Sequence, residues 1–384
     1  MKILHIIGTL NTGGIQKFIL ELSQTQNLRK FNHQILCTTL SDDSFKYKFQ
    51  NIKTPIFYLP FKYLPNNHIP FRIDKVFRFI YSLTFGIRLW IFLVKSDQKI
   101  IHSHIDTQLM SQVLASLLSR KYIIWTIHGE YILKNRTILF IRFIKYFISD
   151  NKFQIIADSN SALKSTLQLS EKTQIKSNII QTGINLEPFD KKYDKSLIRI
   201  KNNIDLDTII IGSTGRIVWE KGYDQLITLM ETLKIKDKKI CILIAGDGSL
   251  RQKLMDIVTI KQLKDKVVFL GNIKNIPEFL SMLDVYVQPS ITEGYPLSVL
   301  EAMASGLPII VSNAGGLKEM IVNGENGIIY KSGDIKELKE ALKKMLNLSP
   351  HEKIKMGEIA LNNITANNSI EKVSEKYKTK YLQC

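Results

Sequence analysis

The chain has 384 residues, 45% hydrophobic and 23% charged, which excludes a mostly disordered polypeptide and suggests two domains or three. Its 20 glycines and 10 prolines are too few for a low-complexity or collagen-like chain. Lys and Arg number 53 against 35 Asp and Glu, and this +18 surplus favours an anionic partner: nucleic acid, a membrane surface or a phosphorylated substrate.

Short apolar runs alternate with helical patterns from the start. Lys2–Ile7 reads as a buried strand, Gly13-Gly14 as a turn, and Gln16–Ser23 as a helix. Further strands are expected at Gln34–Thr38, Lys99–His102, Tyr122–Ile127, Gln154–Ala157 and Asn178–Gln181, with a helix over Thr107–Ser119. Ser159 is placed to cap a helix that includes Leu163 and Leu167. The polar stretch 187–207 has little periodicity and reads as a connection. Strands then resume at Thr208–Ser213, Lys239–Ala245, Lys266–Leu270, Val285–Pro289, Pro308–Val311 and Asn326–Tyr330. Helices are expected at Tyr223–Leu233, Ile276–Ser281, Leu297–Ala304, Leu317–Ile321 and Asp334–Leu346. Such alternation predicts an α/β protein with two doubly wound, Rossmann-like parallel-sheet domains, ligands binding at the carboxyl ends of the strands in a central cleft. The expected boundaries are 1–187, a connection at 188–207, a second domain at 208–365, and a tail at 366–384 read as a helix returning to the first domain.

The positive charge is uneven. Residues 1–190 carry 24 Lys and Arg against 12 Asp and Glu. Two segments there, Phe71–Lys95 and Ile132–Ile148, mix basic with aliphatic and aromatic residues. They fit helices lying in a membrane interface, or amphipathic helices packed on a sheet with a solvated face. No helix-turn-helix, zinc-finger or RNA-recognition pattern accompanies them, so an anionic membrane fits the surplus better than nucleic acid. Phe79–Val94 is interrupted by Arg88 and too short to span a bilayer. Cys37, Cys241 and Cys384 are far apart, which excludes a disulfide framework and fits a reducing compartment. The N-terminus lacks a signal-peptide apolar core.

Several motifs carry chemistry. Gly13-Gly14 follows the first strand and precedes a helix, where backbone can approach an anion closely. The spacing of Gly8, Gly13 and Gly14 does not fit a dinucleotide fingerprint. Gly215-Arg216 and Lys221-Gly222 put two cations beside glycines at a strand end, where they could clamp a diphosphate or simply be surface charges. Glu293-Gly294-Tyr295-Pro296-Leu297-Ser298 leads into a helix whose free N–H groups at Leu297 and Ser298 can hold a phosphate. Glu301 follows within that helix. His128 ends a strand in a Thr-Ile-His-Gly turn, where it could act on substrate or only order the turn. His102 and His104 face one side of a strand, no third metal ligand follows at a recognisable spacing, and a structural role is favoured. Asp205-Leu206-Asp207 lies in the polar connection and reads as chance.

The Glu-x7-Glu turn, read through Glu-Gly-Tyr-Pro-Leu-Ser-Val-Leu-Glu-Ala-Met-Ala-Ser-Gly-Leu-Pro, resembles the signature of retaining glycosyltransferases of family 4, which have the GT-B fold. His102-Ser103-His104, His128-Gly129, Ala157-Asp158-Ser159, Gly183-Ile184-Asn185, Gly246-Asp247-Gly248 and Asn326-Gly327 match in order, over about residues 1–345. The resemblance implies that Arg216 and Lys221 bind the donor diphosphate, Glu293 holds hydroxyls of the transferred sugar, and Glu301 holds the ribose. Gly294, Leu297 and Ser298 complete the donor side. His128, Gly13 and Gly14 would serve the acceptor side and the reacting centre, with Gly14 also near the donor phosphate.

The implied activity is retaining transfer from a nucleotide sugar, a UDP-sugar favoured, to a glycan or polyprenyl-linked acceptor in surface-polysaccharide synthesis. It would need no cofactor and no metal, and would take place at the cytoplasmic face of the membrane. The alternatives are a nucleotide-sugar epimerase or hydrolase of the same fold, and a membrane-associated binding protein with an inactive cleft.

Overall fold

The computed structural model describes residues 1–40, 44–60, 71–105, 108–130, 152–165, 176–233 and 238–384, with residues 71–79 described by backbone alone. The chain divides into two compact units. Unit 1 is Met1–Gln181 with Glu371–Cys384, and unit 2 is Thr182–Ile370. The basic segment Ile132–Ile148 lies outside the described residues, as do the side chains of Arg72, Lys75 and Arg78.

Unit 1 is built on strands β1 (Lys2–Ile7), β2 (Asn32–Cys37), β3 (Ile56–Tyr58), β4 (Ile100–Ser103), β5 (Tyr122–Ile127), β6 (Phe153–Ala157) and β7 (Ser177–Ile179). Among the described residues they form one parallel sheet in the order β3-β2-β1-β4-β5-β6-β7. The inner strands are apolar on both faces because helices cover both. On one face Leu4, Ile6, Ile101, Ile123, Trp125 and Ile155 join one core cluster. Strand order reverses at β1 and β4, which opens a crevice at their carboxyl ends.

The helix Phe71–Val94 packs Phe85, Leu89 and Leu93 into that core. Gly86 lets it approach the helix Leu109–Leu118, where an added Cβ would meet Ser111 at 3.3 Å. The opposite side carries Ile80, Leu83, Ile87, Trp90, Ile91 and Val94 exposed. The solvated polar face expected of a packed amphipathic helix is therefore largely apolar here. Among the described residues no helix is long and apolar enough to cross a membrane.

Unit 2 repeats the plan with β8 (Ile209–Thr214), β9 (Ile240–Ala245), β10 (Val267–Gly271), β11 (Val285–Gln288), β12 (Ile309–Ser312) and β13 (Ile328–Tyr330). Their order is β10-β9-β8-β11-β12-β13, all parallel. The order reverses between β8 and β11, so the crevice of this sheet opens where both strands end.

The polar stretch 187–207 is more than a connection. It contains the helix Lys195–Lys201, capped by Asp194, whose side chain accepts the Leu197 N–H. Arg199 is buried and spends its guanidinium on unit 2. It donates to the Met282 carbonyl, to Asp284 Oδ2 at 2.7 Å, and to the carbonyls of Leu206 and Thr208. Four further elements absent from the sequence reading also form: β3 and the helices Lys46–Asn51, Arg251–Ile260 and Pro350–Asn367.

At the C-terminus the helix Pro350–Asn367 belongs to unit 2, and the helix Ile370–Leu382 lies almost wholly in unit 1. Asn27 donates to the Glu371 carbonyl and to Ser374, while Lys380 donates to Asn178 at 2.7 Å.

Candidate active site

In unit 2 the chain leaves the carboxyl ends of β8 and β11 through the residues the motifs singled out. β8 ends at Thr214, and Gly215 turns the chain with φ +146°. A Cβ there would lie 2.9 Å from the Tyr223 hydroxyl, in a backbone conformation that L side chains rarely adopt. Arg216 follows on the surface, and among the described residues its guanidinium has no ion-pair partner. Lys221 ends the 3-10 turn Trp219–Lys221, and its ammonium forms an ion pair with Glu293. Both groups are largely buried, 14% and 11% exposed. A water-poor setting makes such a pair respond strongly to any further charge.

Glu293 lies in an irregular loop between β11 and the helix Leu297–Ala304, yet the loop is tightly held. Gln225 donates to the Pro289 carbonyl at 2.6 Å. Ser312 and Ser332 both donate to the Ser290 carbonyl, at 2.6 and 3.1 Å. The Ile291 N–H bonds to the Glu220 carbonyl at 2.8 Å. Gly315, at φ +49°, packs against the Glu293 backbone, where a Cβ would stand 1.9 Å from the Glu293 carbonyl oxygen. Only glycine fits that contact.

The carboxylate is also aimed from within. Tyr286 donates to Gln288 Oε1 at 2.8 Å, Gln288 Nε2 to Ser290 Oγ at 2.9 Å, and Ser290 Oγ to Glu293 Oε1 at 3.1 Å. Ser298 also donates to Gln288, at 3.3 Å. Burial, with a smaller push from Glu301, raises the Tyr286 hydroxyl to about 12, so it stays a donor. Of these, Tyr286, Gln288 and Ser290 escaped the sequence reading. The one signal is Gln288, a polar side chain inside an otherwise apolar strand.

The helix Leu297–Ala304 starts after Pro296, and its first N–H groups, at Leu297 and Ser298, have no partner within the helix. Gly294 sits in the turn before it. Glu301 is one turn further on, buried in the same helix. Thus Lys221, Glu293 and Ser298 are joined by direct bonds or through Ser290 and Gln288, while Arg216 stands exposed one residue past Gly215. Asp205 of the Asp-x-Asp sequence is exposed and paired with Lys239 at 2.7 Å, as a surface ion pair.

In unit 1, Gly13 precedes the helix Gly14–Gln24, and its carbonyl accepts the Lys17 N–H. Phe18 of that helix meets His128 edge-on, with ring centroids 6.5 Å apart. His128 follows β5 directly and faces Asp158 Oδ2 at 3.8 Å. Ser159 caps the next helix by accepting the Ala162 N–H, and donates to Asp158 Oδ1 at 3.2 Å.

Behind His128 lie four more histidines. His128 Nε2 meets His104 Nδ1 at 3.0 Å, and His104 Nε2 meets His5 Nδ1 at 3.1 Å. His5 Nε2 meets His33 Nδ1 at 2.9 Å, and His33 Nε2 bonds to the Leu28 carbonyl at 3.1 Å. His102 stands beside this row, bonded to Tyr381 and Thr126, both at 2.7 Å. His5, His102 and His104 are close enough to suggest a metal site, with ligand atoms within 4.8 Å of one another. All six of their ring nitrogens are already in hydrogen bonds, so an ion would have to displace them.

Burial lowers all five imidazoles. His33 and His128 fall to about 4, and His5, His102 and His104 drop well below the usual value, with neighbouring imidazoles adding to the effect. The unfolded chain protonates these groups near pH 6.5, whereas the folded one resists until about 4. Stability is therefore expected to be full above about pH 6.5 and to fall as pH drops towards 4. Thermal unfolding across that window checks it, and a midpoint unchanged from pH 7.5 to pH 4.5 would contradict it.

Comparison with known proteins gives the chain's relatives. The Glycosyltransferase Family 4 model matches residues 12–188, and the model for glycosyl transferases group 1 matches residues 194–362. The chain is 27% identical over 311 residues to UDP-Gal:alpha-D-GlcNAc-diphosphoundecaprenol alpha-1,3-galactosyltransferase of Escherichia coli, covering 77% of this chain and 78% of that one. It is 28% identical over 174 residues to lipopolysaccharide core biosynthesis mannosyltransferase LpsB of Rhizobium meliloti (strain 1021), covering 44% of this chain and 50% of that one. The crystal structure of Anabaena Alr3699/HepE in complex with UDP and glucose superposes with a TM-score of 0.80 at 17% identity, covering 100% of both chains, a likeness of fold. The chain is a GT-B-fold relative of bacterial glycosyltransferases that build surface polysaccharides, similar to one family model in its first half and to the other in its second.

Proposed function

We propose that the protein transfers a sugar from a UDP-sugar to a glycan or polyprenyl-linked acceptor, with retention of anomeric configuration, in surface-polysaccharide synthesis. The observation that carries this is the Lys221–Glu293 pair beside the open N-terminus of Leu297–Ala304, at the reversal point of the unit 2 sheet. The Escherichia coli relative, whose name gives a UDP-galactose donor and a diphosphoundecaprenol-linked acceptor, supports the substrate classes.

In this reading Arg216 and Lys221 grip the donor diphosphate, helped by the N–H groups of Leu297 and Ser298 and by close backbone at Gly294. Glu293 accepts hydrogen bonds from hydroxyls of the transferred sugar, and Glu301 from the ribose. As the bond from the anomeric carbon to the diphosphate breaks, a bond to the acceptor oxygen forms on the same face. The acceptor proton passes to the departing diphosphate. Two cations and a helix N-terminus meet the charge that builds there, with no divalent metal needed. His128, Gly13 and Gly14 of unit 1 serve the acceptor side.

The apolar stripe Ile80–Val94 is where an anionic membrane would be met. Arg88, Lys95 and Arg120 are exposed around it, so apolar burial and charge attraction act together. A lipid-linked acceptor would be reached from that surface.

Transfer from a panel of UDP-sugars to a polyprenyl-diphosphate-linked sugar tests the activity. Glu293→Gln and the double variant Arg216→Ala/Lys221→Ala are expected to lose roughly a hundredfold or more in rate while remaining folded, with midpoints lowered because each leaves one partner of the buried pair unpaired. Full activity in the double variant would end the assignment. For the membrane, the wild type is expected to float with anionic vesicles at low salt, and Leu83→Glu/Trp90→Glu to stay in the pellet fraction. Equal flotation of both, or none with the wild type, would contradict docking through this face.

A further inference from the structure

The row of imidazoles in unit 1 has a direction. The Leu28 carbonyl can only accept, so His33 Nε2, 3.1 Å away, must carry the proton. A neutral His33 then offers a lone pair at Nδ1, which fixes the proton of His5 on Nε2. The same reasoning places the proton of His104 on Nε2, donated to His5, and that of His128 on Nε2, donated to His104. His128 Nδ1 is left with its lone pair outward, beside the Asp158 carboxylate.

The opposite direction would suit Asp158, because Nδ1–H of His128 could then donate to it. It would, however, set the His33 Nε2 lone pair against the Leu28 carbonyl. Distance decides between the two. The Leu28 contact is 3.1 Å long, while the His128–Asp158 contact is 3.8 Å. An acceptor–acceptor clash is costlier where it is closer.

We propose that His33, His5 and His104 are positioning residues that lock His128 in its Nε2–H tautomer, so that it presents Nδ1 as a hydrogen-bond acceptor at the carboxyl edge of the unit 1 sheet. The chemistry this edge fits is a hydroxyl donor, shared between His128 Nδ1 and Asp158 Oδ2. The bearing of the lock on transfer rests on the acceptor-side reading of His128; the lock itself does not.

The test is a long-range proton–nitrogen NMR spectrum of 15N-histidine-labelled protein at pH 7.5. The wild type is expected to show His128 with a protonated Nε2 and a bare Nδ1. In His33→Phe, the His5 Nε2–H loses its acceptor, and the His128 proton is expected to move to Nδ1, next to Asp158. Such a shift reports the tautomer and is not moved by a loss of packing alone. With it, kcat for transfer is expected to fall roughly tenfold at unchanged donor KM. A proton on Nδ1 in the wild type overturns the proposal without any variant. An unmoved proton in His33→Phe overturns the lock, and a moved proton with unchanged kcat overturns its bearing on transfer. A protein that transfers no sugar from any donor would defeat the functional reading, and the wild-type spectrum would still decide the lock.

Discussion

The loop from Pro289 to Pro296 is the constraint on which the unit 2 crevice depends. It has no regular structure, and it carries Glu293 into the crevice where the strand order reverses. Its carbonyls at Pro289 and Ser290 are held by Gln225, Ser312 and Ser332, and its backbone at Glu293 rests against Gly315. A carboxylate on a free loop would lose much of its orienting power. Here the fold has fixed it before any ligand arrives, so that less ordering is left to binding.

Preorganisation recurs in unit 1 by other means. There the carboxyl edge at His128 is stiffened from behind by a row of rings crossing β2, β1, β4 and β5, and by Tyr377 and Tyr381 from the C-terminal helix. Burial pushes both tyrosine hydroxyls up, so they stay neutral; Tyr381 bonds His102 at 2.7 Å and Tyr377 bonds Thr126. The last residues of the chain thereby belong to the polar interior of the unit where the chain began.

Much of this was legible in the sequence, and what was not has physical causes. Strands such as Tyr122–Ile127 stand out because parallel strands covered on both faces are continuously apolar. The Glu293–Glu301 segment was legible because a glycine, a proline and two carboxylates rarely share so short a stretch without purpose. The helix Arg251–Ile260 was not, since Leu254 and Val258 are its only buried positions. The helix Lys195–Lys201 was hidden because the value of Arg199 lies in Asp284, 85 residues away. The histidine row was half seen. His102 and His104 were noted as neighbours, but the strand register that pairs Ile3 with His33 and His5 with His102 is what assembles the row.

The central claim is that the unit 2 crevice takes a nucleotide diphosphate through Arg216 and Lys221. Thermal unfolding of the wild type and of Arg216→Ala/Lys221→Ala, with and without UDP, tests it most directly. A ligand that binds only the folded state raises the unfolding midpoint with concentration. The account predicts such a rise for the wild type and almost none for the double variant; an equal rise in both, or none in the wild type, would contradict it.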